Sequence, residues 1–155
     1  MNAQQLQQEI SKTQEQLQRL QEQLEIAKAI TIETAQPGDT LPDGTVVVAR
    51  YEDSVLLAAP KTTEVECKWT PEFPEVFKSL KKEGFIPSQW HVPSKEELKL
   101  AYKNCKQMFS STNYWSSMEY RYEDAFYVNF LDGLIYDFHK AYTNISVRAF
   151  RRVYL

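Results

Sequence analysis

The chain has 155 residues, with 18 Lys and Arg against 21 Asp and Glu, for a formal net charge of −3. This length fits one ordinary domain with a short extension, and 43% hydrophobic and 25% charged residues exclude wholesale disorder. The acidic balance argues against a nucleic-acid partner, no apolar run is long enough for membrane insertion, and no secretion signal is expected at Met1. Aromatic residues reach 13%, yet none precedes Tyr51.

Residues 1–32 are predicted to form a coiled-coil oligomerisation helix. Apolar or small residues recur at alternating steps of three and four, a period of about 3.5 that keeps one seam against a partner helix. The seam consists of Ala3, Leu6, Ile10, Thr13, Leu17, Leu20, Leu24 and Ala27. Its five large members are the predicted oligomerisation residues: Leu6, Ile10, Leu17, Leu20 and Leu24.

The positions that flank the seam are mostly Gln, so charge specifies the partner helix weakly. We expect a parallel homo-oligomer, with a trimer preferred over a dimer. A single amphipathic helix packed on its own domain is the alternative, although its apolar stripe is usually broader.

Residues 33–44 are predicted to be a linker, because Pro37-Gly38 and Pro42-Asp43-Gly44 are turn sequences. Residues 45–155 are then the main domain. Its first elements are two β-rich runs, Thr45–Tyr51 and Ser54–Ala59, which form a hairpin around a tight turn.

Two helices are predicted next. Pro74–Glu83 starts with Pro and is followed by Gly84, the usual residues at these two helix ends. The second helix, Lys95–Lys103, starts with a capping box in which the Ser94 hydroxyl and the Glu97 carboxylate satisfy each other's backbone amides.

Four strands are predicted in the last third of the chain: Asn113–Ser117, Ala125–Leu131, Leu134–His139 and Ile145–Tyr154. Asp132-Gly133 fits a two-residue type I′ turn between the second and third of them. The order of hairpin, two helices and meander predicts an α+β domain with the helices on one side of antiparallel sheet.

A candidate binding face follows from that two-residue turn. It would pair Phe130 with Ile135 and Tyr127 with Phe138, and side chains alternate between the two faces of a strand. One face forms a core set of Phe126, Val128, Phe130 and Ile135. The other face carries Tyr127, Asn129, Leu134, Tyr136 and Phe138. Its burial would leave Asn129 and two Tyr hydroxyls in need of partners, which favours exposure as a Tyr-rich interaction surface. Coverage by the helices or by Trp115 is the alternative.

Other chemistry is weakly indicated, and we assign no catalytic residue, metal ligand or cofactor. Cys67 and Cys105 are too few for a disulfide scaffold or a four-ligand zinc site. His91 and His139 have no spaced partners of the types that bind metal, and Ser116-Ser117 lacks a nucleophile elbow. The three Trp residues are interpreted as core anchors: Trp69, Trp90 and Trp115. The three Arg residues near the end, Arg148, Arg151 and Arg152, are interpreted as strand-edge and salt-bridge charges.

Five segments occur in the order found in one known family: Leu56–Pro60, Trp90–Leu98, Tyr114–Tyr120, Ala125–Phe130 and Val147–Arg151. Over about residues 44–153 the chain resembles the DUF1566 family, which shares the C-type lectin-like fold of the C-terminal domain of the Legionella collagen-like adhesin. The resemblance implies a ligand-binding head, found on bacterial surfaces and phage tails. Some members are variable proteins of diversity-generating retroelements.

The resemblance also implies variable positions on the last strands. By motif they fall on Tyr127, Asn129, Asp132, Leu134, Tyr136, Asp137, Phe138, His139, Ala141 and Tyr142. From Ala125 to His139 there is no Lys, Glu, Gln, Met or Trp, which are the types that adenine randomisation of a pyrimidine-ended Asn codon cannot produce. The calcium-binding motifs of sugar-binding lectins and the reactive cysteine pair of formylglycine-generating enzymes are both missing, and Arg152 replaces a residue that is commonly small.

The expected function is therefore non-enzymatic receptor binding or adhesion. The predicted ligand-binding residues are Tyr120, Tyr122, Tyr127, Asn129, Leu134, Tyr136, Asp137, Phe138, His139 and Tyr142. The expected partner is a host-surface protein or glycan, and the expected location is a virion, such as a phage tail, or a cell surface; a cytoplasmic location also fits the missing secretion signal. The alternative is a structural component of a phage particle or surface assembly, with the head packed against neighbouring subunits.

Overall fold

A computed structural model describes residues 2–29 and 31–155, without the side chains of residues 25–29. The chain divides into two compact units, residues 1–34 and 35–155. The first contains the helix α1 (Ala3–Ala29), which Asn2 caps by exchanging hydrogen bonds with Gln5. The five large seam residues are between 42% and 62% exposed in the single chain. The seam residue Ala27 lies outside the described side chains.

The second unit starts with residues that pack onto its own sheet. Ala35 and Leu41 are buried, and Thr40 forms a bridge with Val46. A three-stranded antiparallel sheet follows, in the order β1 (Val46–Arg50), β2 (Ser54–Ala58) and β8 (Phe150–Tyr154). The predicted hairpin is confirmed, with ends one residue shorter at three of its four termini.

A second sheet has five strands in the order β3-β7-β4-β5-β6. These strands are β3 (Val65–Glu66), β4 (Asn113–Arg121), β5 (Asp124–Asn129), β6 (Ile135–His139) and β7 (Ser146–Val147). Only β4 and β7 run parallel, so the sheet is mixed. The meander β4-β5-β6 is confirmed, and β6 is the terminal strand of the sheet.

Both predicted helices are confirmed. The helix α2 (Pro74–Lys82) buries Val76 and Leu80, and α3 (Lys95–Cys105) buries Leu98 and Ala101. The capping box at Ser94 has both of its hydrogen bonds, at 2.9 and 3.1 Å. Together, the helices and the two sheets make the chain an α+β protein.

The core consists of two apolar clusters. One joins α3 to both sheets through residues that include Leu98, Tyr114, Val128 and Phe150. The other gathers all three Trp residues around α2, which confirms their interpretation as core anchors.

The prediction of one strand over Ile145–Tyr154 is wrong. The segment contributes β7 to one sheet and β8 to the other, with Arg148 at the crossing. Arg148 is 1% exposed, so its interpretation as a strand-edge charge is also wrong, whereas its predicted salt bridge is confirmed, with Glu64. Its guanidinium donates to the carbonyls of Ala59 and Met108 and to Glu64, and these three acceptors hold the chain between the sheets.

Candidate ligand-binding surface

Strand β6 lies at the open edge of the five-stranded sheet, and all five of its side chains are exposed. Tyr136 is 38% exposed and Phe138 is 44% exposed. Tyr136 stacks on Tyr127 with ring centroids 5.6 Å apart, and Phe138 meets Tyr142 edge-on at 4.7 Å. The Tyr142 hydroxyl also lies close enough to contribute to the raised pKa of Tyr127, after the larger effects of burial and of nearby Asp132 and Asp137. We call Tyr127, Tyr136, Phe138 and Tyr142 the aromatic patch.

The aromatic patch is anchored to the core by one row of cross-strand neighbours. Trp115 is fully buried opposite Tyr127, which is half-buried and lies opposite the exposed Tyr136. Opposed residues on neighbouring strands share a face, so the three rings form a continuous row from core to solvent. The row orders the exposed rings before any ligand arrives, which lowers the entropy lost on binding.

A hydrogen bond fixes the outer end of this row. The Tyr136 hydroxyl donates to the Asp132 carboxylate, and the bond lowers the pKa of Asp132 and raises that of Tyr136. Asp132 also accepts from the backbone N–H of Leu134 at 2.9 Å. The patch therefore pairs exposed rings with a fixed carboxylate and hydroxyl.

The predicted two-residue turn is wrong, and the register differs by two residues. Tyr127 lies opposite Tyr136 instead of Phe138, and Val128 lies opposite Ile135. Asn129 ends β5 and its side chain accepts from the N–H of Leu131, so the loop is longer than a type I′ turn. A shift of two residues keeps every side chain on its face, because side chains alternate with a period of two. The predicted grouping of Tyr127, Tyr136 and Phe138 therefore survives the wrong register.

The other predicted site residues divide between the two sides of the sheet and the turns at its ends. Asp137 and His139 alternate with Tyr136 and Phe138, so they lie on the opposite side of β6. Tyr120 contacts Phe126 on that side as well, and Tyr122 lies in the β4–β5 turn, almost fully exposed. Asn129 and Leu134 lie opposite each other two residues from the Tyr127–Tyr136 pair, so they stay on the side of the aromatic patch; Leu134 is exposed, and the Asn129 side chain also caps the loop.

Ile135 was predicted to lie in the core, and this prediction is wrong because it is 39% exposed. It lines an open groove of about 620 Å³ between β6 and α3. The α3 residues of this groove are Glu96, Lys99, Leu100, Tyr102 and Lys103. We call it the α3 groove. Sequence reasoning missed it, although the helical spacing of Glu96, Lys99, Leu100 and Lys103 places them on one face of the helix.

The polar groups considered for catalysis have structural partners. The Ser116 hydroxyl donates to the carbonyl of Phe126, and His139 Nδ1 accepts from the N–H of Ala141. Burial raises the pKa of the free thiols of Cys67 and Cys105 to about 11, which disfavours the reactive thiolate. Among the described residues, no group of three His, Cys, Asp or Glu side chains could hold a metal ion.

Comparisons with known proteins name no relative: no family model matches the chain, and no curated protein matches its sequence. In the part of the chain that the structure describes, no helix is both long and apolar enough to cross a membrane.

Proposed function

We propose that the chain is a non-enzymatic receptor-binding or adhesion protein that displays the aromatic patch to a protein or glycan of a host surface. The observation that carries this proposal is a cluster of three exposed rings, Tyr136, Phe138 and Tyr142, beside the half-buried Tyr127 at one edge of the sheet. Exposed aromatic side chains normally mark interaction surfaces, because a ring offers a large rigid contact area and Tyr adds a hydrogen-bonding group.

The finer proposal is a C-type lectin-like head of the DUF1566 type, related to the variable proteins of diversity-generating retroelements. Its support is the order of the sequence motifs and the exposure of eight of the ten positions that the resemblance makes variable; Tyr127 and Asn129 are half-buried. Tyr136, Asp137, Phe138, His139 and Tyr142 are all exposed. Residues that change from copy to copy must avoid the core, because buried positions tolerate few side-chain volumes.

The proposed oligomer is a parallel coiled coil of α1, with a trimer favoured. The exposed seam of α1 supports it, since five large aliphatic side chains along one narrow stripe are stabilised by burial against partner helices. Several heads on one stalk would convert weak single contacts into strong binding. The proposed location is a virion or a cell surface.

The alternative is a structural subunit of a phage particle or surface assembly, in which the aromatic patch packs against a neighbouring subunit. The same exposed rings would then be an assembly interface. The two functions differ in what covers the patch.

A binding experiment with a matched control tests the proposal. Wild-type protein, Tyr136→Ala plus Phe138→Ala, and Tyr51→Ala plus Tyr154→Ala are each applied to a glycan array and to intact bacterial cells. The control removes two exposed rings outside the patch, Tyr51 in the turn after β1 and Tyr154 at the end of β8. We expect the first double variant to lose most binding and the control to retain it. Equal binding by all three proteins would refute the proposed site.

A further inference from the structure

Strand β6 has an unpaired outer edge. Asn129 donates to the carbonyl of Leu134, and Lys140 donates to that of Glu123, at the two ends of the β5–β6 ladder. Hydrogen-bonded pairs recur at every second pair of an antiparallel ladder, so Tyr136 and Phe138 direct their backbone groups toward β5. Ile135, Asp137 and His139 direct theirs away from the sheet.

The outward backbone groups of Ile135 and Asp137 have no hydrogen-bond partner among residues 2–29 and 31–155. Proteins usually protect such an edge with Pro, a bulge, an inward charge or a covering loop. The β6 sequence has no Pro or Lys and one carboxylate, Asp137, its pairing with β5 has no bulge, and all five side chains are exposed. The edge is therefore open to an added strand.

The two surfaces beside this edge would receive the side chains of an added strand. The α3 groove begins at Ile135 on one side of β6, and the aromatic patch begins at Tyr136 on the other. Because side chains alternate along a strand, one set would enter the groove and the next set would contact the rings.

The charge of the α3 groove favours a particular peptide. Lys99 and Lys103 line it together with Glu96, Lys106 lies over the Tyr102 ring, and Asp137 is on the same side of β6 as Ile135, so lysines outnumber carboxylates three to two. The Lys99 ammonium donates to the carbonyl of Gly133, and its remaining donors are available to a ligand. An apolar side chain fits the Leu100 and Tyr102 surface, and an acidic neighbour complements the lysines.

A second copy of β6 is a poorer occupant. Full antiparallel overlap of two copies through their outward-facing residues places Asp137 opposite Asp137, and like charges directly opposite each other are destabilising. We therefore propose that the outer edge of β6 binds an extended peptide segment of a partner protein as an added strand, with an apolar side chain and an adjacent acidic one in the α3 groove. This inference rests on the proposed function, since it specifies how β6 would engage a protein partner.

The experiment uses a displayed library of random short linear peptides, selected against the full-length protein. The strongest binder is synthesised, and its dissociation constant is measured by calorimetry. We then methylate its backbone amides one at a time. An added strand donates from alternate amides, so we expect losses of about tenfold or more at alternate positions and little change between them.

Variants of the protein test the same contact from the other side. Asp137→Pro removes one outward N–H and leaves the ladder to β5 intact, whereas Asp137→Ala keeps that N–H. We expect Asp137→Pro to bind about tenfold more weakly than Asp137→Ala, which lacks the same carboxylate but keeps the N–H, and Lys103→Glu to bind about tenfold more weakly than wild type. The methylation series uses wild-type protein, so it remains decisive if a variant misfolds.

Three results would overturn the inference: no peptide is enriched, no amide position matters, or sedimentation shows that β6 pairs with a second copy and Asp137→Pro dissociates it. If host binding falls in Tyr136→Ala plus Phe138→Ala but every peptide result is negative, the proposed function stands and the added strand is wrong. If peptide binding follows the expected pattern but host binding is unaffected by the double variant, the aromatic patch is not the host site.

Discussion

Arg148 shows how one buried side chain can determine the path of the chain between two sheets. Its guanidinium donates to two backbone carbonyls and to the Glu64 carboxylate at 3.3 Å. Burial lowers the pKa of Arg148 and raises that of Glu64, so each group is charged at a cost that the other offsets. Tyr114 completes the network by donating to Glu64 at 2.8 Å.

Replacing Arg148 by Met should lower the free energy of unfolding by about 3–5 kcal/mol, because the Glu64 carboxylate loses its cation and the carbonyls of Ala59 and Met108 lose a donor. Arg152→Met is the matched control. It makes the same substitution at an exposed Arg, whose guanidinium lies over the Tyr51 ring. Its expected cost is within about 0.5–1 kcal/mol. Urea unfolding of the three proteins measures both values, and equal costs would contradict the network's role.

Gly133 holds the β5–β6 loop against α3. Its φ is +74°, and a Cβ atom there would lie 2.3 Å from the Tyr102 ring. Gly133→Ala should therefore cost about 2–4 kcal/mol, from left-handed backbone strain and from the clash together. Gly84 has a φ of +89° with open space around it, so Gly84→Ala should cost about 1–2 kcal/mol. Thermal unfolding compares the two; a smaller loss at Gly133 would show that Tyr102 moves away freely.

At the scale of elements, α3 couples its own start to β8. His91 forms a bridge with Phe150, and its ring lies 3.0 Å from the Glu97 carboxylate of the capping box. Burial opposes ionisation of Glu97, but hydrogen bonds from His91 and from the Ser94 N–H outweigh it and lower its pKa below the ordinary 4.5. The same carboxylate thus caps the helix and holds the neighbouring strand.

This arrangement predicts a pH dependence of stability. The unfolded chain binds a proton at Glu97 more readily than the folded chain. The free energy of unfolding therefore rises with pH between the folded-state pKa of Glu97 and its ordinary value. The contribution of Glu97 to stability is complete above about pH 4.5, and it is lost as the pH falls through the lower pKa of the folded state. Urea unfolding between about pH 6 and pH 3 should show a shallower acid loss for Glu97→Gln than for wild type. Glu96→Gln, outside the capping box, should keep the wild-type slope; identical slopes in all three proteins would contradict the assignment.

The elements that local sequence determines were predictable, and those that tertiary contacts determine were not. Caps and apolar spacing suffice for α2 and α3, because their ends are satisfied within a few residues. The break between β7 and β8 depends on the distant acceptors of Arg148, and the β5–β6 loop depends on side-chain caps at Asn129 and Asp132. The face of Tyr136 was predictable despite the wrong register, whereas the α3 groove requires knowing which helix lies beside β6.

At the scale of the whole molecule, the chain combines an aromatic-free helix with a unit that holds every ring. The large seam residues of α1 expose apolar surface that burial would stabilise by about 25 cal/mol per Å². The mostly Gln flanks add few interhelical charge pairs, so association should depend on the seam and only weakly on salt.

The oligomer should therefore dissociate when the seam becomes charged. In the full-length chain, Ile10→Lys plus Leu17→Lys places two ammonium groups per chain in the interface, in consecutive heptads, where their burial is strongly unfavourable. Gln8→Lys plus Gln18→Lys adds the same charge at positions outside the seam and its flanks. Sedimentation equilibrium should give a monomer for the first variant. The second variant should have the same mass as wild type, which we expect to be a trimer.

Binding to surfaces that present many ligand copies should be weaker for the monomeric variant, while its single-site affinity stays unchanged, because avidity depends on the number of linked heads. A wild-type chain that is already monomeric would contradict the role of α1 as an oligomerisation helix.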